Sequence, residues 1–113
     1  MKANLHIRNR IWIEGERGTF LGNGRIQLLE KVAETGSIND AARSLKMSYR
    51  KAWSLLESIN EQAPFPFIIK SKGGQGGGGT EITDYGLKTI KKFKLLRQKC
   101  EKFLEKEMIK LDL

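Results

Sequence analysis

Apolar and polar positions alternate from Leu5 to Glu14. Leu5, Ile7, Ile11 and Ile13 fall on one face, and His6, Arg8, Arg10, Trp12 and Glu14 on the other. A period of two is that of a half-buried strand. The run "EGERG" then predicts a turn into a short strand, "TFL", so residues 1–21 are expected to form an N-terminal β-hairpin. From residue 22 the period changes. Arg25, Leu28, Leu29 and Val32 follow helical spacing, with Asn23 expected as N-cap and Gly36 as the residue of positive φ that ends the helix.

Two shorter helical patterns follow. Ser37, with Asp40 three residues on, has capping-box spacing, and Ile38, Ala41, Ala42 and Leu45 give a helix of about two turns an apolar face. Ser48 is the next N-cap candidate, opening "SYRKAWSLLESINEQA", in which Ala52, Leu55, Leu56 and Ile59 make the buried stripe. Pro64–Phe65–Pro66 ends that helix, because proline disfavours helix at itself and just before. "FIIKS" and "TEIT" predict two strands around the run "GGQGGGG". From Asp84 a last, long helix carries Leu87, Ile90, Phe93, Leu96, Cys100, Phe103, Leu104 and Met108 at spacings of three and four. So long a stripe cannot be covered by so small a body, and a partner helix is its natural cover.

The expected architecture is one domain, mainly α with a small β-hairpin wing (α+β). It divides into an N-terminal hairpin (1–21), helices and wing (22–83) and a long dimerisation helix (84–113). Two short helices joined by a tight turn and followed by a hairpin make a winged helix-turn-helix. At 113 residues, one modest core is what the chain can bury.

Charge sharpens this picture. The net charge of +8 in so short a chain favours a polyanionic partner, nucleic acid first. Between Arg43 and Leu56 there is no acidic residue, whereas Arg43, Lys46, Arg50 and Lys51 are basic. The N-terminal turn of a recognition helix enters the major groove. Arg50 there suits a guanine edge, and Lys46 and Lys51 suit phosphates. Ser37 and Ser48 offer hydroxyls and helix N-terminal N–H groups to phosphate, and Tyr49 suits a thymine methyl or a phosphate. Each of these is, taken singly, equally at home as a solvated surface residue. Trp53, at the edge of the stripe, is expected in the core.

The glycine run, with six of the chain's twelve glycines in residues 73–79, admits three uses: a phosphate cradle, a linker, or a hairpin tip. Gly74, Gly76 and Gly79 match G-x-G-x-x-G, but "TEIT" intervenes before any helix, and Arg97, Gln98 and Lys99 stand where an acid is required. Thr80 follows Gly79, so the Gly-Lys-Ser/Thr of a P-loop is absent. Strand-like segments close on both sides argue against a linker. The wing tip remains, with Lys70, Lys72 and Gln75 supplying charge and donors.

Enzyme chemistry finds no footing. His6 and Cys100 are single, so no His/Cys metal set, triad or dyad can be assembled, and no cofactor is expected. Cys100 is expected as core filler, with a redox switch across a dimer interface as the alternative. No stretch approaches the roughly 18 apolar residues of a membrane span. The start lacks the features of a signal peptide, which makes the cytoplasm the expected location.

"GSINDAARSLKMSYRKAWSLLESIN" followed by "GGQGGGGTEITDYGLKTI" closely resembles the N-terminal DNA-binding half of ModE-type molybdate-responsive transcriptional regulators, over roughly residues 22–92. The resemblance implies a LysR-like winged helix that dimerises partly through its long helix, with Ser48, Tyr49, Arg50 and Lys51 facing DNA. Two departures stand out. Lys46 replaces the glycine of many such turns, a strain of about 1 kcal/mol if φ is positive. The family's oxyanion-binding domain does not follow Leu113, so direct molybdate sensing is not expected, and a signal would come through an effector-sensing partner protein, a ligand at the dimer interface, or abundance. The expected function is a homodimeric, sequence-specific binder of double-stranded DNA acting in transcription. Alternatives are a winged-helix protein-interaction module and a sequence-blind architectural DNA binder.

Overall fold

The computed structural model describes residues 4–71 and 79–113. Its elements run β1 (Ile13–Gly15), β2 (Gly18–Leu21), α1 (Asn23–Thr35), α2 (Ile38–Ser44), α3 (Tyr49–Gln62), β3 (Ile68–Lys70), β4 (Thr80–Ile82) and α4 (Asp84–Ile109). The strands form two separate antiparallel hairpins, β1–β2 and β3–β4.

Local chemistry accounts for most of the boundaries. The Ser37 hydroxyl accepts from the Asp40 N–H at 3.1 Å, and the Ser48 hydroxyl accepts from the Lys51 N–H at 3.0 Å, so both serines are N-caps. Thr83 caps α4 in the same way, accepting from the Gly86 N–H. A Cβ at Gly86 would stand 3.0 Å from the Phe67 carbonyl oxygen and 2.9 Å from Ile82 Cγ2, so the first turn of α4 lies directly on the second hairpin. Gly36 ends α1 at φ 71°, as expected.

Two boundaries differ from expectation. The long N-terminal strand shrinks to Ile13–Gly15, and residues 4–12 carry no strand pairing. β2 is only four residues long, and its register with β1 already shifts between Ile13 and Glu14, so no ladder is available further out. Asn23 is the first helical residue of α1 rather than its cap. The cap position is Gly22, with no side-chain bond. The Asn23 side chain is used elsewhere: its Oδ1 accepts from Arg97 Nη1 at 2.6 Å, tying α4 to α1.

The core joins Leu21, α1 (Ile26, Leu28, Leu29, Val32), α2 (Ala41, Ala42), α3 (Ala52, Leu56, Ile59), Phe67, and Ile90 and Phe93 of α4. Phe67 is its aromatic centre, edge-on to Phe20 at 5.7 Å and to Tyr85 at 5.5 Å between centroids. Asn60 fastens the strand side to α3: its Oδ1 accepts from the Phe67 and Ile68 N–H groups, and its Nδ2 donates to the Ile68 carbonyl. Lys94 closes on Glu30 at 2.7 Å, again joining α4 to α1. Beyond Phe93 the described residues of α4 have no buried member. At about 1.5 Å per residue, its last three turns or so reach well past the body, and the molecule measures 61 × 30 × 23 Å.

Candidate nucleic-acid interface

α2 and α3 meet through residues with little or no side chain. Ala41, Ala42 and Ala52 are all buried, and Met47 and Leu55 pack against them from the turn and from α3. The turn itself follows a defined hydrogen-bond pattern. The Met47 N–H donates to the Ala42 carbonyl at 3.0 Å and the Lys46 N–H to the Arg43 carbonyl at 3.2 Å, while Lys46 sits at φ 57°. These are the paired bonds of a Schellman ending, with Lys46 at the left-handed position that usually holds glycine. The turn therefore fixes the start of α3 against α2, and its carbonyls are satisfied within the corner.

This corner brings most of the expected residues together. Arg43, Lys46, Ser48, Tyr49, Arg50 and Lys51 are all exposed around the turn and the first turn of α3. Asp40 lies 3.8 Å from Arg43, a loose pair between exposed side chains, and Lys46, Arg50 and Lys51 take part in no ion pair among the described residues. Each serine oxygen accepts one capping bond and keeps its O–H to donate, so Ser37 and Ser48 can present hydroxyl donors beside the N–H groups of the first helical turns. Acidic residues return only further along α3, where Glu61 pairs with Arg17 at 3.3 Å.

The base of the second hairpin joins the same region. The Thr80 N–H donates to the Gly36 carbonyl at 2.9 Å, beside the N-cap of α2. Ser71 and Gly79 close on each other, Ser71 N–H to Gly79 carbonyl and Gly79 N–H to Ser71 Oγ, both at 3.0 Å. A Cβ at Gly79 would lie 2.8 Å from the Gly36 carbonyl oxygen and 2.9 Å from Ser71 Oγ, so this close approach requires glycine. Lys70 stands exposed at the end of β3. Lys72, Gln75 and the rest of the glycine tip up to residue 78 lie outside the described residues.

Four side chains fall elsewhere than expected. Trp53 is 47% exposed rather than core, one helical turn beyond Tyr49, because Ala52 and Leu56 already fill the space against α2. Ile90 and Phe93, expected on the dimerisation stripe, are 5% and 3% exposed and belong to the chain's own core. The rest of that stripe stays uncovered: Leu87, Leu96 and Phe103 are exposed and Cys100 and Leu104 half-buried. Cys100 is therefore not core filler.

Sequence periodicity placed Arg25 on the same face as Leu28, Leu29 and Val32 but gave it no partner; its guanidinium donates to Ser58 Oγ at 3.0 Å, joining α1 to α3. Burial pulls that guanidinium below its usual pKa. Nor did it give a role to Asn60 or Gly79, whose work is visible only once β3 and β4 are in place. Among the described residues, no group of His, Cys, Asp and Glu is arranged to hold a metal ion. No described helix is long and apolar enough to cross a membrane.

The chain is 36% identical over 97 residues to a molybdenum transport protein ModE of Azotobacter vinelandii, an alignment covering 86% of this chain and 36% of that protein. Over 103 residues it is 35% identical to the transcriptional regulator ModE of Haemophilus influenzae, covering 88% of this chain and 40% of the relative. Over that shared stretch the chain is similar to proteins named ModE. It spans less than half the length of either relative. The aligned share of this chain exceeds the span of the quoted motifs, so the kinship does not rest on the helix-turn-helix alone. No protein-family model matches. Among solved structures, ArgP from Mycobacterium tuberculosis superposes with a TM-score of 0.50 over 74% of this chain and 30% of that one, at 16% identity, a likeness of fold.

Proposed function

We propose that the chain is a sequence-specific double-stranded DNA-binding transcriptional regulator acting as a homodimer, a winged helix-turn-helix with residues 48–63 in the major groove. The observation that carries this is the first turn of α3, which is capped, exposed and basic, and is held by an alanine-packed corner. Arg50 reads a guanine edge; Arg43, Lys46 and Lys51 hold phosphates. Tyr49 meets a thymine methyl or a phosphate, and Trp53, exposed one turn further on, extends that apolar contact along the groove. The N–H groups that follow Ser37 and Ser48 face the backbone. The second hairpin is the wing, with Lys70, Lys72 and Gln75 along its arms and tip and residues 73–79 on the backbone or in the minor groove. The relatives' names, a transcriptional regulator among them, support the regulatory role and give no support to an enzyme.

One observation favours a second reading. The uncovered stripe of α4, with Phe103 61% exposed, suits a protein-interaction module in which the basic corner is incidental. Selection of bound duplexes by the purified chain separates the possibilities. An enriched two-fold site supports the regulator; equal retention of unrelated duplexes points to a sequence-blind binder; no binding near 50 mM salt points to the module. On an enriched site, Arg50→Ala is expected to cost about 1–3 kcal/mol, roughly 5- to 150-fold, for each half-site read, with little change on unrelated DNA. Equal losses on both would remove the base-reading role. Repeating the selection with molybdate tests whether an oxyanion acts on this chain.

A further inference from the structure

Residues 4–10 and the far end of α4 face each other across an open groove of about 1180 Å³. The arm lines one wall; Glu101, Glu105, Met108 and Ile109 line the other. The two walls are complementary in charge and in apolar pattern. The arm is basic, with Arg8 and Arg10, and alternates these with Leu5 and Ile7, which are exposed. Glu101 and Glu105, four residues apart, share one face of α4, beside Met108 and the exposed Ile109 of the same groove. Yet the walls do not close within one chain. Among the described residues, no ion pair joins Arg8 or Arg10 to Glu101 or Glu105. The arm also has no strand to pair with beyond Ile13.

We propose that the N-terminal arm of each chain docks on the far half of α4 of a second copy, so that two chains exchange arms. The occupant is a second copy because every chain carries both halves of the match. A two-fold axis then satisfies two basic arms and two acidic helix faces with one interface, and each contact occurs twice. A foreign partner would have to offer an acidic strip and a basic strip at the same spacing. An extended, amphipathic segment laid over Met108 and Ile109 also covers what a helix pair alone leaves open at its end, since Leu5 and Ile7 on one edge of the arm can meet those side chains while its arginines reach Glu101 and Glu105 beside them.

The inference rests on the homodimer proposed above, and charge reversal separates the two. Two variants of the full chain are made, R8E/R10E and E101R/E105R, and sedimentation equilibrium measures the dimer dissociation constant over a concentration series. Wild type is expected to dimerise, and each variant alone to do so about tenfold or more weakly, because both pairings now oppose like charges. Mixed in equal amounts, the variants are expected to regain wild-type affinity as a heterodimer, in which acidic arm meets basic helix and basic arm meets acidic helix. Arms docking on their own helix would show no such rescue, because each variant is mismatched within itself. Wild-type dimers with neither variant weakened would overturn the arm exchange and leave the homodimer standing. A wild-type chain that stays monomeric throughout would overturn both. Matching far-UV circular dichroism and melting of the isolated variants confirm that all four positions, exposed as they are, leave the fold intact.

Discussion

At the α2–α3 corner the inward-facing apolar side chains have neighbours inside the chain: Ala41, Ala42, Ala52 and Leu56 are buried, and Met47 and Leu55 pack on that core. At the far end of α4 the same kinds of side chain stand in solvent, Phe103 and Ile109 among them, although the helix is regular throughout. The two regions follow one helical rule with opposite results. Periodicity places apolar residues on one face in both, but only the corner has a second and third element to receive that face. An apolar stripe therefore says that something must cover it, and the surrounding body decides whether the cover is internal.

The largest expected effect breaks the comparison by making the same kind of cut in both places. Leu56→Ala empties a buried site and is expected to cost about 2–5 kcal/mol, lowering the urea midpoint equally at every protein concentration. Phe103→Ala removes an exposed ring and should change the intrinsic stability of one chain by about 0.5 kcal/mol or less. Its effect belongs in the concentration dependence of the midpoint, which a dimer shows and a monomer does not. If Phe103→Ala lowered the midpoint at all concentrations as Leu56→Ala does, the far half of α4 would be packed within its own chain.

The next effect is at the seam between helix and strand. Asn60→Ala removes three hydrogen bonds and leaves the Phe67 N–H without an acceptor behind a fully buried ring. A loss of about 2–3 kcal/mol is expected. Asn60→Asp keeps the acceptor for both N–H groups but turns an oxygen on the Ile68 carbonyl, so it should cost less at a pH where that carboxyl is protonated and can donate. Equal costs for the two variants would mean that the donor side, not the pair of accepted bonds, holds β3 to α3.

What was legible in the sequence is what short-range physics settles. Ser37, Ser48 and Gly36 act on their own helix ends within three or four residues, and proline at 64 and 66 stops α3 whatever lies around it. The alanines of the corner were legible too, because two helices so close in sequence must meet over small side chains. The rest needed the assembled body. Alternation from Leu5 to Ile13 is a true pattern, but a strand requires a partner, and the four residues of β2 supply none beyond Ile13. The stripe of α4 runs unbroken from Leu87 to Met108, and nothing in its spacing marks Phe93 as the last residue inside the core. Trp53 lies at the edge of the α3 stripe, where a helical period assigns neither face; the alanines filling the corner turn it outward. Asn60 reaches only as far as Phe67 and Ile68, but by hydrogen bonds that no apolar period reports, and Gly79 abuts the distant Gly36 carbonyl, a contact that exists only in the assembled body.

Lys46 gives the finest test, because it sits inside the closed region while carrying a charge for the proposed DNA contact. Its φ of 57° costs a residue with a Cβ about 1 kcal/mol. Lys46→Gly removes that strain but adds freedom to the unfolded chain, so a net stabilisation of less than about 1 kcal/mol is expected. The same substitution removes one positive charge beside α3. If that charge meets a phosphate, the slope of log affinity against log salt should become shallower by about 0.9 for each chain of the bound dimer, with the preference among duplexes unchanged. A stabilised variant with an unaltered slope would make Lys46 a solvated residue that the turn merely tolerates. A destabilised variant would show instead that the lysine's aliphatic stem supports the corner, since glycine satisfies the backbone there at least as well.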